Sequence, residues 1–407
     1  MRPGIIAGAS SIDKDVSARI VLSHRVPNER GSSAHHHAPE GNVTRETGDI
    51  AARRSALCER LPEKAILFYN YEGSDRANLR YLSGFTGEGA LVVCGAETLL
   101  VTDSRYTEQA RRETAGIRIE EERDWMGAGL ARILRALGIV RVAFASRRVT
   151  HHWADAAGKL DGITFVPVAD PTSELRSVKS REEIECLRKA ARLADDALSR
   201  LVPEIHAGMD EAQVALRLEW LMREAGSEGI AFDINVSAGE NSALNHYNPV
   251  LARRKLRRGD LLLFDFGACV DGYRSDMTRT LSVGVPSDEA KTIYDVTLRA
   301  NLAGIAAARA GATGMEVDAV AREVIQEAGY GGRFGHGLGH GIGLEVHEKP
   351  ALSPQSKDTL AAGMITTIEP GIYLPGIGGV RIEDDVVITE GGCDVITSFP
   401  KDRLIRV

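Results

Sequence analysis

The sequence predicts an α/β domain followed by a second α/β or α+β domain, and three observations carry that expectation. Between about residues 46 and 172, short apolar runs alternate with helical patterns. From residue 173 to residue 407 the rhythm changes to longer amphipathic helices interleaved with strands. A chain of 407 residues has the length for two domains of ordinary size, each able to bury a core without covalent staples.

Residues 1–45 stand apart from both. Gly31-Ser32-Ser33-Ala34 runs into His35-His36-His37 with little apolar periodicity, so a mobile tail is expected there. In the first domain, residues 64–70 (KAILFYN), 89–94 (GALVVC) and 98–103 (TLLVTD) read as strands, the last two at hairpin distance. Residues 130–137 read as a helix, and 140–145 and 164–168 as strands. His151-His152 falls in a helix-like stretch, where rings at i and i+1 point apart, so a surface position is expected and no site. Asp170-Pro171 opens a linker. Beyond it, Ile184, Leu187, Ala191, Ala194, Leu198 and Leu201 recur at helix spacing. Further helices are expected over 210–225, stopped by Gly226, after Ser287 as a cap, and over 315–328, stopped by Gly329. Residues 232–237, 260–266, 278–283, 364–369 and 379–388 read as strands.

Composition narrows the function. Fifty Lys and Arg against 57 Asp and Glu leave a formal charge of −7, which argues against a nucleic-acid coat or a basic membrane-surface protein. No apolar run approaches the roughly 18–20 residues of a membrane span, and no apolar secretory signal is visible. The cysteines Cys58, Cys94, Cys186, Cys269 and Cys393 are odd in number and never paired as CxxC. They read as reduced thiols of a cytoplasmic protein, not as a disulfide framework or a zinc ribbon.

The chemistry is concentrated in carboxylates where strands ought to be apolar. Leu261-Leu262-Leu263-Phe264-Asp265-Phe266 is a buried strand interrupted by Asp265, and an unpaired buried carboxylate requires a partner. Asp271-Gly272 is a hairpin turn signal. With those two residues as the loop, Val270 pairs with Tyr273, Gly267 with Asp276 and Asp265 with Thr278. Asp265 and Asp276 then become diagonal neighbours about 7–8 Å apart, close enough to share a small cation.

A second segment, Gly335-His336-Gly337-Leu338-Gly339-His340-Gly341-Ile342-Gly343, alternates strictly. Extended, it puts His336, Leu338, His340 and Ile342 on one face and bare backbone on the other, which suits close approach to a ligand. A helical zinc motif is excluded, since the glycines would break the helix and no Glu follows the first His. His347 follows. Glu369 ends a strand before Pro370-Gly371, and Val380-Arg381-Ile382-Glu383-Asp384 puts Arg381 and Glu383 on one strand face, where Arg381 can orient a ligating carboxylate. Asp265, Asp276, Glu369 and Glu383 bring four negative charges and His340 a neutral nitrogen. Two divalent cations balance that set where one would not. Oxygen-rich donors favour Mn²⁺ or Co²⁺ over a thiolate-bound zinc; Mn²⁺ is the first expectation, with Co²⁺ or Zn²⁺ as alternatives.

The order Asp, Asp, His, Glu, Glu, with SDMTRT around Asp276, GHGLGHGIGLEVHE around His340, IEPG at Glu369 and VRIED at Glu383, resembles the pita-bread metallopeptidases. Within them it most resembles the branch of Xaa-Pro aminopeptidases and Xaa-Pro dipeptidases (prolidases). RSVKSREEIECLR, from Arg176 to Arg188, resembles the lead-in to that catalytic domain, and residues 46–172 resemble the creatinase/prolidase N-terminal domain. The resemblance implies an α/β N-terminal domain followed by an α+β pita-bread catalytic domain over 173–407. It implies that Asp276 and Glu383 bridge two metal ions, that Asp265 completes one site, and that His340 and Glu369 complete the other. A metal-bridging hydroxide would attack the peptide bond preceding proline, with Glu369 carrying protons. His246, His336 and His347 match the family's substrate-binding histidines. Creatinase-type and non-enzymatic relatives lack ligands that are all present here, so the resemblance implies a metal-dependent hydrolase acting on peptides. Asn245 stands where relatives often carry Pro, which bears on loop shape and substrate preference. A homodimer or homotetramer, with the N-terminal domain limiting access to the cleft, is also implied. The competing readings are an aminopeptidase without proline preference and a peptide-binding module that has lost turnover.

Overall fold

Strands buried on both faces, with helices packed against them, build the first half of the chain. In the computed structural model residues 47–407 are described, apart from Ala96, and the tail expected at 1–45 lies outside the described residues. Helix α1 (Thr47–Arg60) precedes β1 (Ile66–Asn70), α2 (Arg76–Ser83), β2 (Gly89–Cys94), β3 (Glu97–Thr102), α3 (Thr107–Glu113) and β4 (Arg118–Glu121). Then come α4 (Ala128–Ala136), β5 (Arg141–Ala145), α5 (His151–Ala157) and β6 (Thr164–Val168). The six strands form one mixed sheet in the order β4-β3-β2-β1-β5-β6. Its central strands β1 and β2 read as nearly unbroken apolar runs because both faces are covered. Leu67 and Tyr69 face Trp125, Leu130 and Trp153 on one side. Ile66 and Phe68 face the other, in a cluster that continues into Leu187, Ala191, Tyr273, Ile342 and Ile365 of the second half. That shared core joins residues 47–407 in one compact unit. His151 and His152 are exposed on α5, as the spacing implies. Helices α1, α2 and α3 were not legible as periodic runs.

The second half opens with α6 (Ser173–Ser177), α7 (Arg181–Leu201) and α8 (Glu211–Glu224). Ser180 with Glu183, and Asp210 with Gln213, form capping boxes that fix where α7 and α8 begin. There follow β7 (Asn235–Ala238), α9 (Pro249–Ala252), β8 (Leu261–Phe266), β9 (Cys269–Val270), β10 (Tyr273–Arg274) and β11 (Met277–Ser282). Next come α10 (Asp288–Ala307), capped by Ser287, and α11 (Gly314–Glu327), capped by Thr313. The chain ends with β12 (Gly339–Gly341), β13 (Glu348–Leu352), β14 (Ile365–Ile368), β15 (Gly371–Leu374), β16 (Gly378–Arg381), β17 (Asp384–Ile388) and β18 (Cys393–Val395). One sheet runs β11-β8-β7 and another β13-β12-β14-β17-β18. Helices α7 and α8 cover the first through Leu198, Leu218 and Leu221, and α10 and α11 cover the second through Ile293, Val317 and Ile325.

Two expectations about this half change. The strand expected over 379–388 is two strands, β16 and β17, broken at Ile382-Glu383, so Arg381 and Glu383 do not share a strand face. The break carries Glu383 across to β11, where its N–H bonds the Thr278 carbonyl at 3.1 Å. The Gly335–Gly343 alternation is a strand only over β12, with a bulge between His340 and Gly341. Leu338 and Ile342 are fully buried in the two apolar clusters, not on a face with the histidines. The glycines do permit close approach, but of neighbouring chain: a Cβ on Gly339 would stand 2.0 Å from the Thr367 carbonyl oxygen, and one on Gly341 2.0 Å from that of Lys349.

Candidate functional site

The β8–β11 hairpin takes the register that the Asp271-Gly272 turn dictates, with Val270 opposite Tyr273 and Asp265 opposite Thr278. Asp271 and Gly272 both take positive φ, at 51° and 73°, which is type I′ turn geometry. Asp265 therefore rises from the middle of the sheet, and Asp276 just precedes β11. His340 comes from β12, Glu369 from the end of β14 and Glu383 from the β16–β17 break. All five line one open cleft of about 880 Å³, together with His246, His336, His347 and Arg381.

One ligand-type atom from each of Asp276, His340 and Glu383 lies within 4.8 Å of the others. His340 Nε2 stands 3.7 Å from Asp276 Oδ2 and 3.4 Å from Glu369 Oε1. Its Nδ1 lies 3.2 Å from the Gly341 carbonyl, which sets the tautomer that leaves Nε2 free to ligate. Arg381 does not orient Glu383 directly. Its Nη2 donates to Asp265 Oδ2 at 2.6 Å, its Nε to Thr278 Oγ1 at 2.9 Å and its Nη1 to the Tyr373 hydroxyl at 3.0 Å. Thr278 Oγ1 in turn donates to Glu383 Oε2 at 2.6 Å. His336 Nε2 lies 2.9 Å from the Tyr373 hydroxyl, and the His347 ring lies 4.3 Å from that of His340, centroid to centroid. His246 is held less directly: its neighbour Tyr247 donates a 2.5 Å hydrogen bond to Glu211 Oε2, tying the loop to α8.

The electrostatics call for a cation. Burial, then the charges of Glu383, Asp265, Asp385 and Glu369, pushes the Asp276 pKa well above the ordinary carboxylate range. Burial, Glu369 and Asp265 do the same to Glu383. Burial pushes Glu369 up to about 8 against the pull of Arg381. Burial lowers His340 and His347, and burial with Arg381 holds His336 down to about 4, so these imidazoles are neutral at pH 7. Asp276 Oδ1 is buried with no hydrogen-bond partner. An orphaned carboxylate oxygen among mutually repelling carboxylates and a neutral imidazole is a donor set that fits divalent metal.

Beneath the cleft, Asp384 anchors the floor. Despite burial, Arg279 and Lys401 hold its pKa down to about 2. Arg279 Nη2 donates to Asp384 Oδ1 at 2.8 Å, and Asp385 Oδ2 accepts the Asp276 backbone N–H at 2.9 Å. Sequence reasoning missed Tyr373, Thr278 and Asp385 as parts of the site. Thr278 was within reach, two residues after Asp276 and opposite Asp265. Tyr373 lies on β15, beyond the end of β14 that carries Glu369, and no periodicity marks it.

Comparison with known proteins finds two matching segments. Residues 57–178 match the Creatinase/Prolidase N-terminal domain and residues 185–390 match Metallopeptidase family M24. An uncharacterized peptidase of Bacillus subtilis is 43% identical over 334 residues, covering 82% of this chain and 94% of that protein. The solved Xaa-Pro dipeptidase from Bacillus anthracis is 39% identical with a TM-score of 0.83, covering 89% of this chain and 100% of that one. The X-Pro aminopeptidase from Thermotoga maritima is 40% identical with a TM-score of 0.82, covering 88% and 99%.

Proposed function

Because this chain belongs to metallopeptidase family M24 and carries that family's two-domain pita-bread fold, we propose that it hydrolyses the peptide bond preceding proline with two divalent metal ions. It is a metallopeptidase, and divalent metal is its cofactor class. The observation that carries the finer reading is the convergence of four carboxylates and the His340 Nε2 on one cleft, with a buried Asp276 oxygen left unpaired. Asp276 and Glu383 would be shared between the ions, with Asp265 at one end and His340 and Glu369 at the other. The charge count favours two ions, Mn²⁺ first.

When bound, the metal supplies Lewis-acid polarisation and a nucleophile derived from water at neutral pH. The remaining work falls to side chains. Glu369 lines the cleft beside His340 and is suited to take a proton and return it to the leaving nitrogen. His246 and His347 line the cleft, where a ring N–H can donate to the substrate carbonyl as its oxygen gains charge. His336, braced by Tyr373, lines the same wall. Leu216, Ile230, Phe232 and Val250 give the cleft an apolar side that suits a pyrrolidine ring. Proline preference is further supported by the solved relatives, an Xaa-Pro dipeptidase and an X-Pro aminopeptidase. We extend the reading to a cytoplasmic homodimer or homotetramer. Among the described residues no helix is long and apolar enough to cross a membrane.

The test is hydrolysis of Ala-Pro, Ala-Pro-Ala and Ala-Ala by chelated protein reloaded with defined metal, alongside metal analysis. Cleavage of the proline peptides, restored by Mn²⁺ at about two ions per chain, is expected. Equal rates on Ala-Ala would establish an aminopeptidase without proline preference, and activity surviving exhaustive chelation would refute the metal mechanism.

A further inference from the structure

Val346 and His347 line the cleft, whereas the flanking Glu345 and Glu348 join a cluster of cations. Arg148 grips Glu345 with two parallel hydrogen bonds, from Nη1 to Oε1 and from Nη2 to Oε2, the second at 2.6 Å. Arg176 Nη2 donates to both carboxylates, to Glu345 Oε2 at 2.7 Å and to Glu348 Oε1. Lys179 Nζ stands 3.3 Å from Glu348 Oε2. Glu348 Oε1 also accepts the Glu345 backbone N–H at 3.0 Å, closing the turn across His347. The Arg176 and Glu348 side chains are only 4% and 5% exposed, so each needs its partner's charge to offset the cost of burial. Bidentate arginine pairs fix direction as well as distance.

The two arginines and the two glutamates come from different parts of the chain. Arg148 and Arg176 lie in the segment matching the N-terminal domain, and Glu345 and Glu348 in the segment matching the catalytic family. The His347 ring packs against that of His340 at an interplanar angle of 51°, and among the described residues no hydrogen bond holds it. Its direction is therefore set by the turn that carries it. We propose that Arg148 and Arg176 are positioning residues: through Glu345 and Glu348 they set the turn that aims His347 into the cleft, so the N-terminal domain acts on turnover within its own chain. This rests on the reading that His347 contacts the substrate.

The experiment uses the full chain, with Ala-Pro-Ala as substrate for the Mn²⁺-loaded protein. Arg148 is the residue to vary because its side chain is 21% exposed, and Glu345→Gln tests the same contact with shape preserved should Arg148→Ala not fold. Arg148→Ala is expected to lower kcat about tenfold, with KM within about twofold and metal content unchanged. Arg148→Lys should recover part of the loss. The double variant Arg148→Ala/His347→Ala should be no slower than His347→Ala alone, because a positioning residue has nothing left to position. The histidine NMR spectrum of the metal-free protein gives a reading apart from activity: the signal lost in His347→Ala should shift in Arg148→Ala. Losses that multiply in the double variant overturn the proposal, as does an unmoved His347 signal. A slowed His347→Ala beside a wild-type rate in Arg148→Ala overturns the positioning role alone. A wild-type kcat in His347→Ala overturns the reading of His347 itself, and the proposal with it.

Discussion

Arg381 holds Asp265 by a 2.6 Å hydrogen bond from Nη2 to Oδ2, and spends its other two nitrogens on Thr278 and Tyr373. One buried guanidinium thereby sets the direction of a carboxylate on the β8 strand, of the Thr278 hydroxyl that serves Glu383, and of the Tyr373 hydroxyl that meets His336. An ammonium is a point charge without that planar fork and cannot satisfy all three. Arg381→Lys is therefore expected to keep the fold and the local charge but lower metal affinity by about 10–100-fold, as loss of a partner behind a ligand does. Equilibrium dialysis against Mn²⁺ reads this directly. Wild-type affinity would show that Asp265 needs no orienting partner.

Asp276→Asn and His347→Ala are expected to fail in different ways. Asp276 sits in the acidic cluster with an unpaired oxygen, so its amide removes a charge and a donor; metal content and rate should fall together. His347 lines the cleft beside His340, and its loss should lower turnover by roughly 10², as for an oxyanion donor, with metal content near wild type. Metal analysis beside steady-state kinetics separates the two. Equal metal loss in both variants would make His347 a ligand, and full activity in His347→Ala would make it a packed structural residue.

What was legible in the sequence is what rests on local signals. The Asp271-Gly272 turn dictates the hairpin register because such a loop admits one pairing, and that places Asp265 opposite Thr278. Ser287 announces a helix start because the cap and its bonded N–H lie three residues apart. The glycines from Gly335 to Gly343 were readable as close approach, but not as approach of neighbouring strands rather than of a ligand; that depends on how the chain folds back through Lys349 and Thr367. The Arg148–Glu345 pair spans 197 positions and leaves no periodic trace. Nor did the break at Ile382-Glu383, since alternation through VRIED is satisfied equally by one strand or two.

Metal loading should release protons. Burial and neighbouring carboxylates raise Asp276 and Glu383 well above their ordinary range, and burial raises Glu369 up to about 8, so at pH 7 Glu369 carries a proton until a cation displaces it. The observed heat of Mn²⁺ binding at pH 7 is then expected to change with the ionisation enthalpy of the buffer, with a slope corresponding to net proton release. A buffer-independent heat would mean that the carboxylates are already ionised before the metal arrives.

Asp75 gives the N-terminal domain a pH dependence of its own. It stands just before α2 with 1% of its surface exposed, and burial, partly offset by Arg148 at 4.0 Å, pushes its pKa up to about 7. In the unfolded chain the same carboxyl titrates near 4, at about 3.9. Between those values the folded state binds the extra proton. Its contribution is full below the unfolded pKa and is lost as pH rises through about 7. Asp75→Asn cannot titrate. Relative to that variant, the wild type is expected to lose about 2–3 kcal/mol of stability between pH 5 and pH 8. Urea unfolding of the two proteins across that range, both stripped of metal so that the cleft contributes equally, gives the difference directly. Parallel curves would mean that Asp75 ionises in the fold as readily as it does in water, with Arg148 compensating its burial in full.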